Sequence, residues 1–325
     1  MNFLHLKYAL EIAKTKSISK AAENLFIVQP NLSRAIKELE TTFDITIFNR
    51  TPRGITITPE GEEFLQYAHK IVSQVEELDD LYSNKHRPKQ RFSACVPRSC
   101  YISYAFSEFC KTINPKMPVE FYYKETNSMR STLNVSKGEC DLAIIRYQDT
   151  FDKYFQSMFV EKRFNAITLN EFEYVLLISK DNPLAFKEKI KLSDLENFVE
   201  VSHADPYVPS LPLTDIKKEE LSEVTDKHIF VYERGSQFSI LENVDNSYMW
   251  VSPMPQELCD KYNLVQRHCK ENNKKYCDVL VYREGYKLTD LDEKFIDEVK
   301  KAKKKYIDNF AEKLGGNKND SKTVY

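Results

Sequence analysis

The stretch SISKAAENLFIVQPNLSRAIKELE, residues 17–40, holds two short helical patterns with almost no chain between them. The first is small, with Ala21, Ala22 and Leu25 as its apolar members. The second repeats apolar residues at Leu32, Ala35, Ile36 and Leu39, the i, i+3, i+4, i+7 spacing of an amphipathic helix. Its other face carries Asn31, Ser33, Arg34 and Lys37. Upstream, residues 3–13 place Phe3, Leu6, Leu10 and Ala13 on one side of a further helix, and Ser19 is the expected cap of the small one. Pro30 pre-sets the first turn of the last helix, where its missing N–H costs nothing. Helices in this order, with a tight join before the last, make a helix-turn-helix, whose final helix enters a DNA major groove. The small helix buttresses, and the polar face stays free for base edges and phosphates.

The following residues extend this reading. ITIFNRTPRGITIT, residues 45–58, sets Ile45 and Ile47 against Ile55 and Ile57 around a turn closed by Gly54, which predicts a β-hairpin. The tip of this wing carries Arg50 and Arg53, spaced to reach the phosphate backbone or minor groove. Thr58 and Pro59 then read as the cap and first position of a long helix. Phe64, Ala68, Ile71, Val75, Leu78 and Tyr82 follow at spacings of 4, 3, 4, 3 and 4, a heptad seam ended near Pro88. A seam this narrow calls for a second helix like itself, so residues 59–88 are read as a linker that pairs two chains.

Bulk composition narrows the alternatives. The 325 residues are 42% apolar and 30% charged, with a formal net charge of −2. That is ordinary for a globular protein, and any nucleic-acid site must be a local patch. No apolar run approaches the length of a membrane span. The N-terminus lacks the features of a signal peptide, so a cytoplasmic location is expected. The seven cysteines (Cys95, Cys100, Cys110, Cys140, Cys259, Cys269 and Cys277) form no CxxC pair, which favours reduced, mostly buried thiols over a zinc ribbon. Only seven glycines occur, where average usage of about 7% would give roughly 23. No GxGxxG, GxxxxGK[ST], GxSxG or HExxH motif exists. No enzyme, cofactor or metal is expected.

From about residue 91 strands alternate with helices: RFSACVP, SYAFSEFCKTI, PVEFYYKET, SMRSTLNVSKG and CDLAIIR in turn. The alternation predicts parallel βαβ units, whose ligands sit beyond the carboxyl ends of the strands. Those ends carry Pro97-Arg98-Ser99-Cys100, Thr126-Asn127-Ser128 and Arg146. Hydroxyls, an amide, helix N–H groups and two arginines suit a small anion such as a carboxylate.

Taken together, AAENLFIVQPNLSRAIKELE and FNRTPRGITITPEGEEFLQYA resemble the winged helix-turn-helix and linker helix of LysR-type transcriptional regulators. The resemblance aligns Gln29, Pro30, Asn31, Ser33, Arg34 and Lys37 with the operator-contacting face, and Arg53 with the wing contact. Glu62 departs from the small residue usual after Thr-x-x-Gly. Farther on, VEFYYKETNS, GECDLAII and ISKDNPLA resemble the family's effector domain. The implied architecture is a mainly α winged helix-turn-helix at 1–58, the linker helix at 59–88, and an α/β two-lobed, periplasmic-binding-protein-like domain at 91–310. Lobe I would take 91–162 and 268–310, lobe II would take 163–267, and 311–325 would be a disordered tail. Effector contacts carry over onto Ser99, Cys100, Thr126 and Asn127, and more loosely onto Ser202. In the second lobe VDNSYMWVSPMPQEL has Asn246 and Ser247 where the family has glycine, and the insert HADPYVPSLPLTDIKKEEL has no clear pattern.

The implied partners are double-stranded DNA, a small-molecule effector and further copies of the chain, as a dimer through the linker and a dimer of dimers. No membrane partner is implied. One alternative is thiol-based redox sensing, because Arg98 and a helix start should depress the Cys100 pKa. Against it, Cys110 lies about 15 Å along the same helix, and peroxide-sensing members carry their cysteine pair in the second lobe, in a stretch that is cysteine-free here. Another is a stand-alone solute-binding protein, but an assembly module would make the third helix apolar all round. At the C-terminus Phe295, Ile296 and Val299 predict a last helix docked on the first lobe, with Lys300 to Lys305 as its solvated face.

Overall fold

The computed structural model describes residues 2–51, 54–82, 89–203 and 224–310. The chain divides into two units, Met1–Lys89 and Gln90–Tyr325. No helix among the described residues is long and apolar enough to cross a membrane.

The first unit opens with α1 (Phe3–Thr15), α2 (Ile18–Asn24) and α3 (Gln29–Phe43). The cap of α2 is Ser17 rather than Ser19: its hydroxyl accepts from Lys20 N, while Ser19 lies inside the first turn. Pro30 occupies the first turn of α3 as expected. The core line of α1 is Leu6, Ala9 and Ile12, with Phe3, Leu10 and Ala13 only at its margin. Ala21 and Ala22 meet it from α2, and Leu32, Ile36 and Leu39 from α3. Small alanines let α2 lie close, and each fully buried leucine or isoleucine contributes about 1.5–3 kcal/mol.

The wing is β1 (Phe48–Thr51) paired antiparallel with β2 (Gly54–Ile57), Phe48 opposite Ile57 and Arg50 opposite Ile55. Ile47 and Ile55 are buried beneath it. The Arg50 side chain and all of Arg53 lie outside the described residues. Helix α4 (Pro59–Tyr82) starts at a tight junction. Thr58 N donates to Ile47 O at 3.1 Å, and Gly61 N donates to Thr58 Oγ1 at 2.8 Å.

The expected seam of α4 holds only in part, because the helix's buried line runs through Ala68 and through Leu65 and Val72, which the seam did not include. Leu65, Ala68 and Val72 are buried in the unit's own core, and the Phe64 ring packs against Phe43 at 5.2 Å. Ile71 and Leu78 are exposed, as is Tyr67, and Val75 is half-buried. The Tyr82 side chain lies outside the described residues. Ala68 therefore belongs to the domain core, because the helix turns that side toward α1.

The second unit contains two five-stranded sheets. In the first, β3 (Gln90–Val96), α5 (Cys100–Cys110), β4 (Val119–Glu125), α6 (Ser128–Lys137) and β5 (Leu142–Gln148) follow the predicted alternation. β3 lies parallel to both β4 and β5. After α7 (Asp152–Glu161) comes β6 (Phe164–Glu173), which remains in this sheet beside β12 (Lys275–Arg283), in the order β4-β3-β5-β12-β6. The first crossing is thus at Tyr174 rather than near 163. Antiparallel pairing of β6 with β12 from Phe164–Arg283 to Glu173–Lys275 holds it there.

The second sheet is β7 (Val175–Ser179), β8 (Val199–His203), β9 (His228–Val231), β10 (Ser247–Val251) and β11 (Leu264–Arg267), in the order β11-β7-β10-β8-β9. Helices α8 (Arg234–Asn243) and α9 (Gln256–Lys261) accompany it. Asn246 takes φ +54 ahead of β10, the left-handed position expected where the family has glycine. The chain returns through residues 268–274. Tyr174 and Tyr276, one at each crossover, stack with centroids 3.8 Å apart. Helix α10 (Asp290–Lys303) docks Phe295, Ile296 and Val299 into the first sheet's core against α5. The expected solvated lysine face is broken just past α10, where Lys305 Nζ lies 4.7 Å from the Tyr306 ring centroid and 4.9 Å from that of Tyr104. The expected tail at 311–325 and most of the proline-bearing insert, residues 204–221, lie outside the described residues.

Candidate functional site

In the first unit α3 buries Leu32, Ala35, Ile36 and Leu39, which turns Gln29, Pro30, Asn31, Arg34 and Lys37 to solvent. Arg34 and Lys37 make no ion pair among the described residues. They line a groove with Ser33 and Glu40 from α3 and Phe48 and Ile55 from the wing. The Ser33 hydroxyl in it has no hydrogen-bond partner among the described residues. Glu40 is spent internally, accepting from Ile47 N at 2.7 Å and Phe48 N at 3.1 Å, which ties the wing to the helix. Exposed cations and amides on one helix face, with the Ser33 hydroxyl recessed beside them, form a donor array that can read base edges and phosphates.

In the second unit the residues singled out from the sequence separate into groups. Arg146, at the end of β5, is 8% exposed. Its Nε and Nη2 each donate to the Asp278 carboxylate at 2.7 Å, and its guanidinium lies 4.8 Å from the Phe172 ring centroid. Burial works against the charged form, yet Asp278 outweighs it and holds Arg146 above its ordinary pKa. The Tyr101 hydroxyl also donates to Asp278. Burial, reinforced by that carboxylate, pushes Tyr101 well up. Arg146 is therefore a balanced internal charge and not a spare cation awaiting an anion. Its remaining donors reach Ser99 Oγ at 3.2 Å and Ser252 Oγ at 3.3 Å. Ser252 follows β10, so this cluster ties the two sheets.

Ser99 stands at the start of α5 without capping it, because its hydroxyl is turned to Arg146 and Ser252. Cys100 lies beside Arg234, the first residue of α8, at 3.6 Å. Burial raises the Cys100 pKa despite that arginine, so the expected activated thiolate is corrected: the apolar surroundings outweigh the nearby charge. Arg234 also donates to Glu125 Oε2 at 2.9 Å and Ser103 Oγ at 2.9 Å, a second tie between the sheets. Arg98 is half-buried and acts on Glu125 by its charge. Thr126 is buried, with its N–H donated to Val96 O. Asn127 Oδ1 accepts from Arg130 N as the cap of α6. Ser202 stands apart on β8, opposite Phe230, its buried hydroxyl without a partner among the described residues. All seven thiols are free, and Cys110 alone is more than slightly exposed.

Sequence reasoning missed Asp278, Ser252, Arg234 and Glu125. The one local signal was Arg234-Gly235-Ser236 opening a helix in the second lobe. The Arg146–Asp278 pairing has no local trace.

A helix-turn-helix with a wing is thus joined in sequence to a two-sheet α/β unit. Residues 3–62 match the family model of bacterial regulatory helix-turn-helix proteins, lysR family. Those residues thus carry a LysR-type helix-turn-helix. Over 147 residues it is 32% identical to the uncharacterized HTH-type transcriptional regulator YcgK of Bacillus subtilis, covering 45% of each chain. The matched stretch thus spans about half the length of this curated relative. Full-length OxyR from Pseudomonas aeruginosa superposes with a TM-score of 0.59 at 16% identity, covering 92% of this chain and 94% of that one. Full-length CbnR, solved with its target DNA, gives 0.57 at 15% identity over 93% and 100%. At such identities these likenesses establish the fold alone.

Proposed function

We propose that this protein is a cytoplasmic, sequence-specific transcriptional regulator that reads double-stranded DNA through α3 and its wing, and is switched by a small effector held between the two sheets of its second unit. The observation that carries the proposal is the exposed donor face of α3, where Arg34 and Lys37 stand clear of any ion pair among the described residues. An assembly helix would place apolar groups there. The contacts assigned to DNA are Gln29, Pro30, Asn31, Ser33, Arg34 and Lys37, with Arg50 and Arg53 on the wing. The exposed stripe of Tyr67, Ile71 and Leu78 supports pairing of two chains through α4, as a dimer or a dimer of dimers. Two reading heads then match a two-fold symmetric operator. The effector pocket is assigned to Ser99, Cys100, Thr126 and Asn127, bounded by Arg146 and Arg234. Each of these arginines faces a carboxylate, so the pocket favours a small polar molecule that can exchange with their hydroxyl partners.

The test is enrichment of sheared genomic DNA on the reduced full-length protein at about 150 mM salt, followed by sequencing. Discrete peaks with dyad-symmetric cores are expected. Diffuse recovery that fades with added salt would reduce the interaction to phosphate attraction. On such a peak Arg34→Ala should bind about 30-fold more weakly, the loss of one base-reading arginine, with an unchanged oligomeric state by light scattering. Equal affinity of variant and parent would remove Arg34 from the reading face.

A further inference from the structure

The donor face of α3 continues backward into an apolar patch that DNA reading has so far not used. Phe26, in the turn between α2 and α3, is 96% exposed, the highest value of any large apolar side chain described. Val28 beside it is 62% exposed. Phe26 also holds φ at +55, in the left-handed region where bulky residues are uncommon and asparagine or glycine is at ease. The backbone needs that conformation: Phe26 N donates to Glu23 O at 3.1 Å and Ile27 N to Ala22 O at 3.0 Å, closing α2 and directing Ile27 toward the core. The fold therefore requires a left-handed residue at position 26 but gains nothing from an aromatic ring there. Both the exposure and the backbone conformation weigh against phenylalanine in the isolated molecule.

The patch runs directly into exposed Gln29, Pro30 and Asn31 at the start of α3. That end of a recognition helix is the one that meets base edges, and apolar side chains there pack on the C5-methyl group of thymine. We propose that Phe26, flanked by Val28, is a specificity-determining DNA contact whose ring covers a thymine methyl at one position of each half-site. The inference rests on the DNA-reading function above. It adds a position selected by shape rather than by hydrogen bonding.

The experiment uses an operator fragment recovered by genomic enrichment, the full-length protein, and Phe26→Asn, which suits the left-handed backbone. Each thymine of the half-site is replaced in turn by deoxyuridine, which deletes only the methyl group. The variant should melt no lower than the parent and bind the operator about tenfold more weakly. One deoxyuridine position should weaken the parent about threefold to tenfold and leave the variant unaffected. Three outcomes overturn the inference: undiminished operator binding by the variant, identical deoxyuridine penalties in both proteins, or an equal loss on operator and random DNA, which would place the ring on the backbone. A parent that selects no discrete operator overturns DNA reading itself, and the inference with it.

Discussion

Asp278→Asn is expected to lower the stability of the unit beginning at Gln90 by about 3–5 kcal/mol, the cost of leaving a buried charge uncompensated. Arg146 is 8% exposed and Asp278 is fully buried, and two 2.7 Å hydrogen bonds join them. Asparagine keeps the shape but offers Arg146 one carbonyl where it had a bidentate carboxylate. The two serine hydroxyls that also touch Arg146 carry no charge. For a unit of this size each kcal/mol moves the midpoint by about 2–4 °C, so calorimetry should show its transition about 10 °C lower. The double replacement Arg146→Met with Asp278→Leu should recover most of the loss, because removing both charges also removes their desolvation cost. A single-variant loss under about 1 kcal/mol would mean that the pair is not shielded from water.

The second large effect is expected at Gly61→Ala, in the first unit. A β-carbon there would stand 2.3 Å from the carbonyl oxygen of Ile47 and 2.9 Å from Thr58 Oγ1. The first obstacle is backbone and cannot rotate away. Ile47 leads into the wing and Thr58 caps α4, so relief requires prising the wing from the helix start. The cost should be about 3 kcal/mol, at the upper end for overpacking. Thermal denaturation should show a first transition lower by more than about 10 °C, given the greater sensitivity of small domains. Operator affinity should fall with it while the Gln90 unit melts as before. Unchanged melting would mean that the junction yields freely.

The helix pair and the wing were legible because their signals are local. Leu32, Ala35, Ile36 and Leu39 fall on one face whatever surrounds them, and Pro30 marks its own turn. The βαβ order from residue 90 to 148 was legible for the same reason. The linker seam was read only in part: a heptad says which residues are apolar, not which of two neighbours will cover them. Leu65, Ala68 and Val72 went to α1, and that choice depends on how the domain closes. The place of β6 was illegible because it is an edge strand with an irregular exposed pattern, fixed by pairing with a strand about a hundred residues away. The polar cluster of the second unit suffered most. Arg146 was visible at a strand end, but its meaning turns on Asp278, 132 residues later. A lone arginine at a strand end reads as an anion site, and the same arginine held by a buried carboxylate is a structural bolt.

The stacked tyrosines at the crossovers carry a mechanical consequence. Neither Tyr174 nor the 268–274 return contains a glycine, and the rings of Tyr174 and Tyr276 lie within 13° of parallel. A joint without glycine has few backbone states to swing through. A stacked pair adds about 0.5–1.5 kcal/mol beyond its buried area. The double crossover between the two sheets of the second unit is thus clamped at a joint with little backbone freedom.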